Sequence, residues 1–413
     1  MNPATRQIVF INTAHTITHY SLLILPTAVL AMARPDSPFG SAYGPILALA
    51  TGMFVLYGLL SLPQGWLVQR LGRKTLMTAF FVGTGAGLIG AGLAQSSWAL
   101  AAALAAAGAF SAIYHPIGTT MLVEAAGDKP GKSIGVNGVF GNLGVALAPV
   151  VTAFLAVRFG WRAAFITPGA LCILVGLLWM RISVVHIERH VTARPFPPIP
   201  AYLVRRALVV LLLIATSSGL VFNAFTLLLP KLMQDRLAAS PSLLPLVGAA
   251  AFLVTLCGAL TQFTVGRMID RNTLKRVFLP ISLVLAPAMA GLSFAQGWMV
   301  MPLSAVVAAS IFGQVTVNET MAARYISPEM RARIYSVRFF VGFLGAAASA
   351  PLVATLFERT GSLVAVTLVL AAFSTVTLGC ALFFPNRPEE LEPELWKDVP
   401  GSPAAAPVPV AAE

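Results

Sequence analysis

His15 and His19 are the residues whose type and spacing most invite chemistry. They stand four apart in an apolar run, so a helix places them on one face. Histidine changes charge near neutral pH, and ionisable groups at membrane depth are costly to keep. The pair reads as a proton site or as a polar contact for a ligand. The alternative is two neutral rings bonded to carbonyls or to hydroxyls such as those of Thr16 and Thr18. His115 directly precedes Pro116 in another apolar run. Proline removes a backbone donor and bends a helix, so His115 either shapes a site at that bend or satisfies the freed backbone. The three histidines lack a tight ligand spacing in the chain, so no metal site is expected; no cofactor is expected either.

A second constellation lies late in the chain. Asn318-Glu319 includes the most deeply placed carboxyl group in the sequence. A carboxylate there can take up and release a proton, or it can pair with Arg324 or Arg338. Arg338 can bind carboxylate or phosphate in a bidentate manner, or it can belong to a gate at the helix end. Asn137, Asn142, Asn223 and Gln262 are polar residues inside apolar runs. They read as interhelical hydrogen bonds, with Asn137, Asn142 and Asn223 as alternative cavity-lining groups.

The elements that must position these groups are membrane helices. The 413 residues are 57% hydrophobic and 10% charged, with a mean hydropathy of +0.83, against about 25% charged residues in soluble proteins. A bilayer span needs about 20 apolar residues. Twelve segments meet that standard, with limits near 8–33, 43–68, 75–95, 98–126, 133–157, 161–182, 207–230, 242–266, 276–295, 299–326, 333–357 and 362–385. Both termini then lie on one side. That side carries 20 Lys and Arg and the other side 6, which predicts cytoplasmic termini by the positive-inside rule. The same asymmetry accounts for the net charge of +12 without a nucleic-acid partner. The expected location is the inner (plasma) membrane, as a multi-pass monomer.

The Pro-rich stretch Arg194 to Pro200 marks a stiff linker. It divides the chain into a six-helix bundle at 1–182, a linker at 183–206, a second six-helix bundle at 207–385, and a tail at 386–413 whose Pro, Ala and Glu content predicts disorder. A repeated turn supports the division. GWLVQRLGRK runs from Gly65 through Gln69, Arg70, Gly72 and Arg73 to Lys74, and GRMIDRNTLKR runs from Gly266 through Asp270 and Arg271 to Arg276. Gly65 and Gly266, Arg70 and Arg271, and Lys74 and Lys275 are each 201 residues apart. Two similar halves in parallel order are a transporter architecture. Glu124, at the same end of span 4, is expected to pair with Arg73 or Arg70.

The loop after span 2, its copy after span 8, the twelve spans and the central linker together resemble the major facilitator superfamily. That resemblance implies an all-α membrane protein of two six-helix bundles around a cavity that opens alternately to each side. It assigns Gly65, Gln69, Arg70, Gly72, Arg73, Lys74, Glu124, Gly266, Asp270 and Arg271 to the cytoplasmic gate. The family's loop usually carries an acid where Gln69 stands, so a weaker lock is expected. Within the superfamily, His15, His19-Tyr20, Leu22-Leu23 and Pro26 of span 1 resemble fosmidomycin-resistance-type exporters. So do Tyr114-His115-Pro116 and Gly118 of span 4, and the run Gly135 to Pro149. Drug–proton antiporters often carry an arginine within span 4, and this chain has none between Trp98 and Glu124.

No nucleophile–histidine–acid set and no phosphate-binding glycine loop is evident, so neither an enzyme nor direct ATP drive is expected. The first expectation is proton-coupled efflux of a small organic solute, with His15, His19, His115, Asn137, Asn142, Asn223, Asn318, Glu319 and Arg338 at the coupling site or cavity. The second is proton-coupled uptake of an organic acid or other nutrient. A receptor or scaffold on the same fold is the third, and ionisable groups at that depth argue against it.

Overall fold

The computed structural model describes residues 2–126, 130–185, 196–237 and 243–403. Residues 186–195 of the predicted linker and the last ten residues lie outside that set. Among the described residues every regular element is helical. Eleven helices are long and apolar enough to cross a membrane, and the bent pair Tyr43–Leu59 and Gln64–Leu71, turned by 69°, makes the twelfth. Large apolar side chains such as Phe154, Leu171, Leu260 and Phe263 are exposed on the outside, as a lipid-facing surface requires.

Local chemistry sets several of the ends. Asn2 caps the first helix, its side chain accepting from the Thr5 N–H at 2.7 Å, with Pro3 in the first turn. Ser96 does the same for span 4 and Ser362 for span 12. Gly72, at φ 75°, turns the chain sharply between Gln64–Leu71 and span 3, Arg73–Leu93, in a region that suits glycine.

The spans pack as two bundles. In the first half span 3 packs on spans 4 and 6, and span 1 packs on span 5, Pro130–Phe159. In the second half span 7, Ala201–Leu237, packs on span 11, Pro328–Thr360, and span 10, Val300–Tyr325, packs on spans 8 and 9. The halves meet where span 5 touches span 8, Leu244–Ile269, and where span 2 touches span 11. The distribution of core residues gives the conformation. Away from the termini one apolar core unites both halves, with Ile24, Tyr43 and Ala153 against Leu228, Val247 and Val353. Toward the termini there are two separate cores, one around Phe80, Tyr114 and Trp179 and the other around Leu203, Phe278 and Tyr325. The bundles are therefore closed at the far side and parted on the side of the termini. Polar contacts reinforce the closed side: the Gly44 N–H donates to Glu358 at 2.8 Å, and Lys231 lies over the rings of Tyr43 and Phe357.

The start of the tail departs from its composition. Where Pro, Ala and Glu predict disorder, residues 386–403 form an ordered strap with two short 3₁₀ turns, Pro388–Glu390 and Pro393–Asp398. Trp396 is 1% exposed and its ring meets that of Tyr325 at 5.6 Å. This indole and the buried Glu390 carboxylate anchor a segment whose average composition is polar. The Glu390 carboxylate accepts from Tyr325 at 2.6 Å, from the Leu274 N–H and from Arg324 at 3.3 Å. Burial pushes the Glu390 carboxyl above its ordinary value, partly offset by those three donors. A carboxyl raised in the docked state binds its proton more tightly there than when free. Docking is therefore firmest below the ordinary carboxylate range and weakens as pH rises through the raised value. Hydrogen exchange of residues 386–403 should speed up across that window, and Glu390→Gln should remove the pH dependence.

Candidate functional site

Between the halves lies a cavity of about 230 Å³. Its first-half wall presents His19, Tyr57 and His115, and its second-half wall presents Ser218, Asn223, Gln314, Asn318 and Arg338; Phe54, Phe222 and Phe343 supply apolar surface.

Each wall is built by a local device. Span 4 breaks from α-helix into one wide π turn, Tyr114–Gly118. This is how the predicted bend at Pro116 is realised, and such turns recur at functional sites. It carries His115 to within 5.5 Å of the His19 ring and 5.3 Å of the His15 ring, centroid to centroid. His15 and His19 share a face, as their spacing requires, with their Nε2 atoms 3.1 Å apart. One ring nitrogen from each of the three histidines lies within 4.8 Å of the others. The ligand spacing that the chain lacks in sequence is thus supplied by the fold.

Behind the triad is a buried network. The Asn137 carbonyl oxygen lies 2.7 Å from His15 Nδ1. The Asn137 side chain donates to Asn12 at 2.9 Å and bonds Tyr114 Oη. Asn137 therefore holds the triad from outside the cavity. Asn12 was not legible as a site residue; its sequence signal is a polar side chain within an apolar run, three residues before His15. Asn142 lies elsewhere, donating to Gln262 at 2.5 Å and tying span 5 to span 8 across the two halves.

On the second wall Arg338 pairs with Glu319 at 2.7 Å; Glu319, expected as the most deeply placed carboxyl group, is 49% exposed and is not itself among the side chains lining the cavity. Arg324, the other partner considered for Glu319, instead bonds Glu390 and the Ile269 carbonyl at 2.9 Å. Asn223 lines the cavity and donates to the Gly219 carbonyl at 2.8 Å. The Ser218 hydroxyl donates to Gln314 Oε1 at 2.7 Å. Among the described residues, Gln314 Nε2 and Asn318 Oδ1 are buried without a protein partner. One is a donor and the other an acceptor, one helical turn apart on one face.

The repeated loops lie at the end bearing the termini. Arg73 pairs with Glu124. Arg70 stacks over Trp66, 4.1 Å from the ring centroid. Lys74 offers its carbonyl to the Trp179 indole at 3.2 Å. Gln69, Asp270 and Arg271 are exposed, Gly65 faces open space, and Gly266 approaches only Thr316. The Arg73–Glu124, Arg70–Trp66 and Lys74–Trp179 contacts each lie within the first half.

The family model described as Major Facilitator Superfamily matches residues 16–258 and 211–411. The chain belongs to the major facilitator superfamily. Members of this superfamily are transporters rather than enzymes, and they carry small molecules by alternating access. A stretch of 96 residues is 31% identical to the uncharacterized MFS-type transporter YfnC of Bacillus subtilis, covering 23% of this chain and 24% of that protein. Two solved structures share the fold. One is a bacterial homolog of the human lysosomal transporter Spinster in an inward-facing and occupied conformation, with TM-score 0.72 and 15% identity over 93% of this chain and 97% of that one. The other is described likewise but unoccupied, with TM-score 0.66 and 13% identity over 93% and 95%. In this facilitator the halves are parted on the side of the termini.

Proposed function

We propose that this facilitator carries a small organic anion together with a proton. The observation that carries the reading is the Glu319–Arg338 pair beside the cavity. A guanidinium is the natural partner for a carboxylate or phosphonate, and here a carboxylate of the protein already holds it. Substrate anion and Glu319 therefore compete for one cation. A proton on Glu319 ends the competition, so proton and anion load together. Gln314 and Asn318 offer a further donor and acceptor, and Phe54, Phe222 and Phe343 suit an apolar or aromatic body. With cytoplasmic termini, as the charge asymmetry predicts, an inward proton gradient at the plasma membrane would drive uptake.

A second reading is export in exchange for protons. The patches in spans 1 and 4 that resemble fosmidomycin-resistance-type exporters favour it. The two readings differ in the sign of proton flow. Vesicles holding the purified protein and a pH-sensitive dye would be exposed to a panel of small organic anions. Co-transport acidifies the interior as an anion enters, and exchange makes it alkaline. Anion entry with no pH change, and no response to an imposed gradient, would rule out both.

A further inference from the structure

The three imidazoles on the first wall have an arrangement that the transport reading does not use. A carbonyl oxygen can only accept a hydrogen bond, so His15 Nδ1, 2.7 Å from the Asn137 carbonyl, carries the hydrogen. Neutral His15 then has its lone pair on Nε2, the atom that faces His19 Nε2 at 3.1 Å. An outer N–H held by a backbone carbonyl is how metal-binding histidines are oriented. The space for the ring is kept open by Gly141, where a Cβ would come within 2.5 Å of His15 Cε1 and 2.6 Å of Nε2. Tyr114 stacks on the other side of His15 at 4.9 Å, and Tyr57 stands 6.2 Å from His115. Among the described residues, the three histidines group as possible ligands with no aspartate or glutamate among them.

We infer that His15, His19 and His115 form a site for one divalent transition-metal ion of the zinc class, with its fourth position open to the transport cavity. Neutral imidazoles without carboxylates select zinc, cobalt, nickel or copper over magnesium or calcium. A tetrahedral zinc centre with bonds of about 2.0–2.1 Å sets its nitrogens roughly 3.4 Å apart. The His15–His19 pair is already near that spacing, and with all three nitrogens within 4.8 Å the third ring closes by a small side-chain rotation. Three histidines plus one open position is the coordination of sites that accept an exogenous ligand. Because His19 and His115 line the cavity, that ligand comes from the cavity side: water, or the carboxylate, phosphonate or hydroxamate of a solute. The inference is independent of the proton role given to Glu319.

The test uses untagged, full-length protein in detergent at pH 7.5, titrated with Co²⁺ alone and then with Zn²⁺ alone. One cobalt per chain is expected, with the visible absorption of a four-coordinate ion, and zinc should displace it. His15→Asn, His19→Asn and His115→Asn should each weaken binding at least about 10-fold, the lower bound known for loss of a supporting contact. A His186→Asn, His190→Asn double variant should bind normally. X-ray absorption of the zinc-loaded wild type should show three imidazoles, a readout that does not depend on any variant folding. No saturable binding up to about 100 µM, an affinity weaker than about −5.5 kcal/mol, would overturn the site. So would a zinc environment with fewer than two imidazoles, or binding that survives the triple histidine variant.

Discussion

Glu319→Gln should exchange substrate but fail to accumulate it. The glutamine keeps the size of the side chain and loses the negative charge, so Arg338 is left to the substrate anion. The Glu319 side chain is 49% exposed, and an ion pair with so exposed a member contributes about 0.2–1 kcal/mol, so removing the competitor should tighten anion binding by up to roughly 5-fold. Coupling is lost for the same reason: no proton need arrive before the anion can bind. Counterflow between loaded vesicles should therefore persist, while accumulation driven by a pH gradient should fall at least about 10-fold toward simple equilibration. Arg338→Ala should act in the opposite sense, losing binding and with it both activities. If Glu319→Gln still concentrates substrate against a gradient, the exchangeable proton is not on this carboxylate, and the shared-guanidinium scheme fails with it.

Gly144→Val should be among the most damaging single changes in the first half. A Cβ at Gly144 would sit 2.3 Å from the Thr16 carbonyl oxygen and 3.0 Å from its carbon. These are backbone atoms, so no rotamer change relieves the clash, and span 5 must move away from span 1. Overpacking of this kind costs typically about 1–3 kcal/mol, and valine adds two methyl groups beyond the Cβ. The displacement would also carry away the Thr16–Phe140 contact of 2.8 Å and the Asn137 carbonyl that orients His15. Gly138→Val on the same helix is the control, because a Cβ there meets nothing within 4 Å. In detergent melts the first variant should lose several degrees and the second almost none. Equal melting temperatures would contradict the close contact of spans 1 and 5.

Much of the architecture was legible because membrane helices are written locally. Length and apolarity each act within one span, and the 201-residue register of Gly65 and Gly266 needed only two short loops. The site was legible in its parts and hidden in its assembly. His15 and His19 announced a shared face through their spacing. That His115 would join them depended on a π turn and on the rotation of span 4 against span 1, and neither leaves a periodic trace. Asn137 read as one polar residue among several, and its role became visible only with Asn12 and Tyr114 around it. Arg324 and Arg338 were equal candidates for Glu319, because distance along one helix does not weigh a partner on the next. The strap was hidden for another reason: its mean composition is polar, and its docking rests on a few particular side chains, Trp396 and Glu390 foremost.

That strap has a mechanical consequence. It bonds to the chain just before span 7 through Ser402 and Pro198, to Tyr202 at the start of span 7 through Arg387, to the start of span 9 through Asn386 and Glu390, and to the end of span 10 through Tyr325. Five bonds to four places brace the open end of the second half like a belt around a barrel. The first half has the Arg73–Glu124 pair and the Lys74–Trp179 contact in the corresponding place. The second half therefore enters the rocking cycle with the open ends of spans 7, 9 and 10 tied into one unit.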